Sequence, residues 1–411
     1  MPKSQEVQIA AFADLVVKVG LNLQAGQRLL IRSAVEGAEF ARLVTQRAYA
    51  AGCAEVDVIW NDDTIALERL KHAAEERLNE YPPYLAQGHI DAANRADAVL
   101  SIRCSDPELY KGQDSSRLKV VERATRTALR PFFEKITTSA LNWCLVSVPG
   151  QAWAAKLFPD EAKEQQKAKL WTAILKTVRA DLDDPNKAWQ EHLEGLERRR
   201  EYLDQKQYQS LRYRAKGTDL EIGLVENHLW MGGIQPTPSG IIYVANMPTE
   251  EVFTMPHKNR VNGLVSSSLP LSHNGSLIED FVLEFKDGQV VSAKARSGED
   301  TLHRILDTDE GARRLGEVAL VPHSSPISQL GILFYDTLFD ENAASHLALG
   351  RAYAFTVKDG TTWTPQQAAE HGVNDSLTHV DFMIGSADMD IDGVSKNGSL
   401  EPVMRQGEWA F

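Results

Sequence analysis

Two hydrophobic periods alternate along the first part of the chain. Gln5 to Val19 carries apolar residues at helical spacing, and Leu21 to Gly26 reads as a turn. Arg28-Leu-Leu-Ile-Arg32 then reads as a strand, Glu36 to Ala51 as an Ala-rich helix and Ala54 to Trp60 as a second strand. Beyond the polar Asn61-Asp-Asp63, a helical stretch from Thr64 to Leu78 runs into the Tyr81-Pro-Pro-Tyr84 break. Ala98 to Arg103 and Asn142 to Val148 supply further apolar runs. Strands alternating with helices predict an α/β N-terminal domain with a mostly parallel sheet. Such folds often bind nucleotides, but Ser33-Ala-Val-Glu-Gly-Ala38 after the first strand matches neither GxGxxG nor GxxxxGK[ST]. The expectation is a scaffold without a dinucleotide.

Glu161 to Gln209 is rich in Lys, Glu, Gln, Leu and Ala and predicts two helices separated at Asp183-Asp-Pro-Asn186. The domain junction is placed there, giving residues 1–190 to the scaffold and 191–411 to a second domain. In that second part the texture changes to short strands: Leu211 to Lys216, Asp219 to Leu224, Gly240 to Val244 and Phe281 to Phe285. Lys286-Asp-Gly288 is a hairpin signal. The prediction is an α+β, largely antiparallel C-terminal domain.

At 411 residues the chain is long enough for two cores. A net charge of -13 leaves no general surface for nucleic acid or anionic membrane. The run Arg198-Arg199-Arg200, set among acids on a predicted helix, reads as a solvated face. The start of the chain lacks the layout of a signal peptide, and no apolar run reaches membrane-spanning length. Cys53, Cys104 and Cys144 show no CxxC pairing and read as reduced, buried thiols. Together these features predict a cytoplasmic location.

The candidate chemistry lies between Asn246 and Asp381. Glu251, Glu317, His346, His379 and Asp381 offer the oxygen and nitrogen donors that a pair of divalent cations takes. They form no compact motif of the His-Glu-x-x-His type, so spacing alone does not single them out. Their surroundings do. Asn246-Met-Pro-Thr-Glu-Glu-Val-Phe-Thr-Met-Pro256, Leu315-Gly-Glu-Val-Ala-Leu320, Ala344-Ser-His-Leu-Ala-Leu-Gly350 and Thr378-His-Val-Asp-Phe-Met-Ile384 occur in that order. Together they resemble the M29 family of metal-dependent aminopeptidases, of the aminopeptidase T and aminopeptidase S type.

Local pattern adds physical sense to each position. On a strand, His379 and Asp381 face the same way, while Val380 and Phe382 face the other. Glu317 enters an apolar run, where a carboxylate is costly unless paired or bound to metal. Asp340 to Gly350 reads as an Asp-capped helix carrying His346 and stopped by a glycine. Extended geometry puts Glu250 and Glu251 on opposite faces, so one of them serves a given site. The resemblance favours Glu251 as ligand and leaves Glu250 as a candidate general base. It also implies that Tyr353 stands near the metals. His257 and His323 are loop-like candidates for orienting substrate or ligand.

The resemblance implies two divalent ions per subunit (zinc, cobalt, manganese or magnesium), short peptides with a free N-terminus as substrates, and a homodimer. The working mechanism is a metal-activated water attacking the first peptide bond, with Glu317 bridging the ions. Two other readings fit the same donors. One is a mononuclear non-haem iron enzyme using His346, His379 and one carboxylate. The other is a non-catalytic peptide-binding protein stabilised by metal.

Overall fold

The computed structural model describes residues 3–104, 106–273 and 275–411. The chain forms two compact units, Met1–His192 with Ile234–Pro248, and Leu193–Gly233 with Thr249–Phe411. A single cut along the sequence cannot describe this division, because the segment Ile234–Pro248 returns to the first unit.

In the first unit, strands β1 (Arg28–Ala34), β2 (Glu55–Asn61), β3 (Ala98–Arg103) and β4 (Trp143–Ser147) form a parallel sheet in the order β2-β1-β3-β4. The returning residues Asn246–Met247 add a fifth parallel strand beside β4. The centre of the sheet is apolar because helices cover it: Leu30 and Val99 pack with Ala92, Phe132 and Leu141, and Phe12 meets Phe40 at 5.0 Å between ring centroids. The helix expected over Thr64 to Leu78 is two pieces, Asp63–His72 and Glu75–Leu78. Asp62 caps the first, its carboxylate accepting from the Ile65 N–H at 3.1 Å. All three cysteines are buried and free.

The helix Pro185–Lys206 begins at the break expected from sequence, with the Asp184 carboxylate accepting from the Lys187 N–H. Its arginine run is less solvated than expected. Arg200 pairs with Glu197 and Asp204, and Arg199 is half-buried over the Trp409 ring. Of the three, only Arg198 is exposed. Among the described residues, no helix is long and apolar enough to cross a membrane.

The second unit is built on two antiparallel sheets. One has eight strands and runs from Gln289–Lys294 at one edge, through Pro256–Ser266 and Ser210–Ala215, to Glu408–Trp409 at the other. The expected hairpin joins two strands at the first of these edges, with Asp287 and Gly288 both at positive φ. The other sheet contains β5 (Val252–Thr254), β6 (Leu315–Leu320), β7 (His346–Gly350) and β8 (His379–Met383), hydrogen-bonded in that order. Gly240 to Val244, expected as a strand of this domain, contributes only Ile242–Tyr243, and to the first unit.

The sheet β5–β8 alternates between two kinds of residue. Val318, Leu320, Leu347, Leu349, Val380 and Phe382 join the large apolar core of the unit. Burying each such side chain contributes about 1.5–3 kcal/mol. That core fixes which way the intervening residues point, and these carry the chemistry.

Candidate metal centre

His346 lies on a strand, not on the helix expected over Asp340 to Gly350. Helix ends at Asp340, a single 3-10 turn spans Glu341–Ala343, and β7 begins at His346. Asp340 therefore caps no helix toward Gly350. Its carboxylate accepts from the backbone N–H groups of Phe334 and Asp336 behind it. The apolar run Leu347-Ala-Leu349 is buried between β6 and β8, and this tertiary pairing overrides the helical preference of Ala and Leu. Gly350 ends a strand at φ +105°, where a Cβ would lie 2.2 Å from the Thr378 carbonyl oxygen.

Register then brings the donors onto one face. Ala348 stands opposite Glu317 on β6 and opposite Asp381 on β8. Gly350 stands opposite His379, and His346 opposite Ala319 and Met383. Small residues between the donors leave room at the centre of this face. A bulge at Gly316 sets the direction of Glu317, since the register shifts between Leu315 and Glu317. A Cβ on Gly316 would sit 2.3 Å from the Arg351 carbonyl oxygen, so only glycine fits there.

The result is two overlapping groups of donors, Glu251 with Glu317 and His346, and Glu317 with His379 and Asp381. Glu317 belongs to both. His346 Nε2 lies 3.1 Å from Glu251 Oε2 and 3.6 Å from Glu317 Oε1. His379 Nε2 lies 3.2 Å from Asp381 Oδ1 and 3.8 Å from Glu317 Oε2. Each imidazole is oriented through its other nitrogen, His346 Nδ1 toward the Ala344 carbonyl at 3.1 Å and His379 Nδ1 toward that of Arg351 at 2.7 Å. Backbone acceptors at Nδ1 leave Nε2 as the ligating atom, the arrangement that fixes histidine ligands in metal sites.

Electrostatics shows a site that wants cations. Burial opposes charge on His346, yet hydrogen bonds to Glu251 and Glu317 outweigh it and hold the imidazole pKa well above its ordinary value. Burial likewise opposes charge on His379, but the Asp381 carboxylate prevails and raises it to about 9. Burial raises Glu317, with Asp381 and Glu251 adding repulsion. Glu251 Oε2 and Asp381 Oδ1 are buried, with the imidazole Nε2 atoms of His346 and His379 at 3.1 and 3.2 Å as their near partners. Buried carboxylate oxygens of this kind are costly until a cation takes them, so the residues present fit a metal.

Sequence reasoning missed Glu341. Burial and the charges of Glu251 and Asp381 push its carboxyl well above the usual range, which places it against the same cluster. The signal was present in the string Asp340-Glu-Asn, but the helix reading turned those residues into a cap. Beside the cluster, a cavity of about 40 Å³ is lined by Asp340, Glu341, Asp381, Leu271, Tyr335 and Met383, among others.

The other expected residues fall in different places. Tyr353 packs its ring on His379, with centroids 4.9 Å apart. Burial and the charges of Glu317 and Asp381 raise its phenol pKa. Glu250 belongs to neither donor group, and its charge bears on Arg199. His257 and His323 also lie outside both groups. His257 Nδ1 accepts from the Asn259 N–H, and His323 Nδ1 meets the Ser328 hydroxyl.

Fold and site together define a two-unit α/β protein with a candidate metal centre, and comparison with known proteins identifies its family. The family model described as thermophilic metalloprotease (M29) matches residues 5–409. Aminopeptidase 2 of Geobacillus stearothermophilus is 47% identical over 406 residues, covering 99% of this chain and 98% of that protein. Aminopeptidase T of Thermus thermophilus is 42% identical, covering 97% of each. The solved structure of wild-type AmpT from Thermus thermophilus superposes with a TM-score of 0.94 at 40% identity, covering 99% of this chain and 100% of that one. The chain belongs to the M29 family of metallopeptidases.

Proposed function

We propose that this protein is an aminopeptidase that removes N-terminal residues from short peptides at a dinuclear centre. The observation that carries this reading is the sharing of Glu317 between two donor groups. One carboxylate common to two sets, each with its own imidazole and a further carboxylate, suits two neighbouring cations better than one. Glu251, Glu317 and His346 would hold the first ion, and Glu317, His379 and Asp381 the second. Zinc, cobalt, manganese and magnesium are the candidates that oxygen and nitrogen donors admit. When bound, such ions acidify a water and polarise the scissile carbonyl.

The chain's own residues do the rest. His346 and His379 are held by backbone carbonyls so that Nε2 faces the centre. Glu341 is the proton carrier in this reading, since its carboxyl lies against the cluster with a raised pKa, a property suited to general acid–base work. Glu250, the candidate for that role from sequence, lies outside both donor groups, which favours Glu341 over it. Tyr353, whose ring packs on His379, supplies a hydroxyl to stabilise developing negative charge on the carbonyl oxygen.

The donor arrangement speaks against the mononuclear iron reading, which leaves two buried carboxylates without a cation. The test is chelation followed by stoichiometric return of cobalt, zinc or manganese, with hydrolysis of an aminoacyl amide as readout. Recovery at two ions per chain is expected. Full activity without metal, or at one ion, rejects the dinuclear mechanism, and peptides bound but never shortened reject catalysis. We also infer a homodimer from the family resemblance, and a cytoplasmic location from the three free, buried cysteines. Light scattering of the purified chain tests the dimer.

A further inference from the structure

We infer that Asn342 is the positioning residue that holds the Glu250–Glu251 segment against the Glu341 turn, and that it serves the cation subsite containing Glu251. The inference rests on the dinuclear reading above. Four of the five donors from sequence, Glu317, His346, His379 and Asp381, stand on strands whose ladders fix their backbone. Glu251 is different, because it precedes the first residue of β5. Its placement needs another support.

Asn342 provides one. The residue is fully buried, at 0% exposure. Its Oδ1 accepts the backbone N–H of Glu250 at 2.6 Å, across 92 positions of sequence. Its Nδ2 donates to the Leu338 carbonyl at 3.0 Å, within its own turn. Its backbone carbonyl accepts from the Ser325 hydroxyl at 3.1 Å. An amide suits this position because it offers an acceptor and donors in one rigid plane. A carboxylate has no hydrogen to give Leu338, and an aliphatic side chain would strand a buried N–H and a buried carbonyl, each costly to leave unpaired. Asn342 also adjoins Glu341, so one side chain sets two acidic groups relative to each other: Glu251 through the Glu250 amide, and Glu341 through the chain itself.

The test uses the full-length chain as Asn342→Ala, Asn342→Asp and Ser325→Ala. Each is stripped with chelator and titrated with Co²⁺, counting bound ions and following hydrogen exchange at the Glu250 amide in the metal-free protein. Wild type and Ser325→Ala should bind two ions and protect that amide. In Asn342→Ala the amide should lose its protection. One ion should bind roughly 10- to 100-fold more weakly, as for other changes in groups that orient ligands. The second ion should be held as before. Asn342→Asp keeps an oxygen facing Glu250 and should fall between the two, and it decides the matter if the alanine variant does not fold. In a Glu251→Gln background, Asn342→Ala should cause no further loss of affinity, whereas in Asp381→Asn it should add its full effect. Equal weakening of both ions, an unchanged titration or a Glu250 amide that stays protected overturns the inference. A wild type that binds a single ion refutes the dinuclear reading instead, and exchange at Glu250 then judges Asn342 by itself.

Discussion

Glu317 stands directly opposite Ala348 across the β6–β7 pair, so a methyl group occupies the row in which the flanking strand β8 carries the Asp381 carboxylate. The small residue keeps the space between the acids open. Ala348→Val should therefore lower cation affinity without removing any donor. Overpacking there costs about 1–3 kcal/mol. Metal content after dialysis, read beside the unfolding midpoint, checks this. A variant that binds as much metal as wild type would show the space is not used.

Glu317→Gln removes the charge shared by both donor groups. Activity should fall by more than the roughly 10- to 100-fold typical of changes outside the ligand set, and both ions should weaken. His379→Ala should weaken one ion and spare the other. Metal analysis beside circular dichroism separates these outcomes from misfolding.

Metal uptake should release protons. The surrounding carboxylates raise the His379 pKa to about 9 and hold His346 well above its ordinary value, which favours the protonated imidazoles at neutral pH. A cation binds only the neutral ring, and each proton lost favours binding. Apparent affinity should thus rise with pH through about 9, as His379 gives up its proton. Calorimetric titration in buffers of different ionisation enthalpy measures the released protons.

Tyr353→Phe keeps the ring on His379 and deletes only the hydroxyl. If that hydroxyl stabilises charge on the reacting carbonyl, kcat should drop roughly 10²- to 10³-fold with KM and metal content little changed. Tyr353→Ala should also disturb His379, seen as weaker metal binding.

The reverse face of the same sheet is structural. Phe382 is buried and meets Phe281 at 5.5 Å between ring centroids. Phe382→Ala should cost about 3–5 kcal/mol, measured as a lower urea midpoint.

Much of the fold was legible because the signals were local. Alternating periods marked the strands and helices that became the parallel sheet, and Asp287-Gly288 marked a hairpin of the eight-stranded sheet through residues that accept positive φ. The pair His379 and Asp381 was legible for the same reason, since a period of two fixes a shared face once the segment is a strand. His346 was not. Alanine and leucine at 347–349 favour a helix in isolation, and only two neighbouring strands, distant in sequence, make extended backbone the better solution.

By itself, then, the sequence determined most of the elements of the first unit, the two fold classes and the kinds of donor atom available. Tertiary structure alone decided that Glu317 is common to two donor groups, that Glu341 lines a cavity with Asp381, that Glu250 lies outside both groups, and that residues 234–248 rejoin the first unit. The reason is that side-chain direction along a strand is a local property, whereas the distance between two carboxylates depends on strand register, a bulge at one glycine and the packing of a core that no single segment encodes.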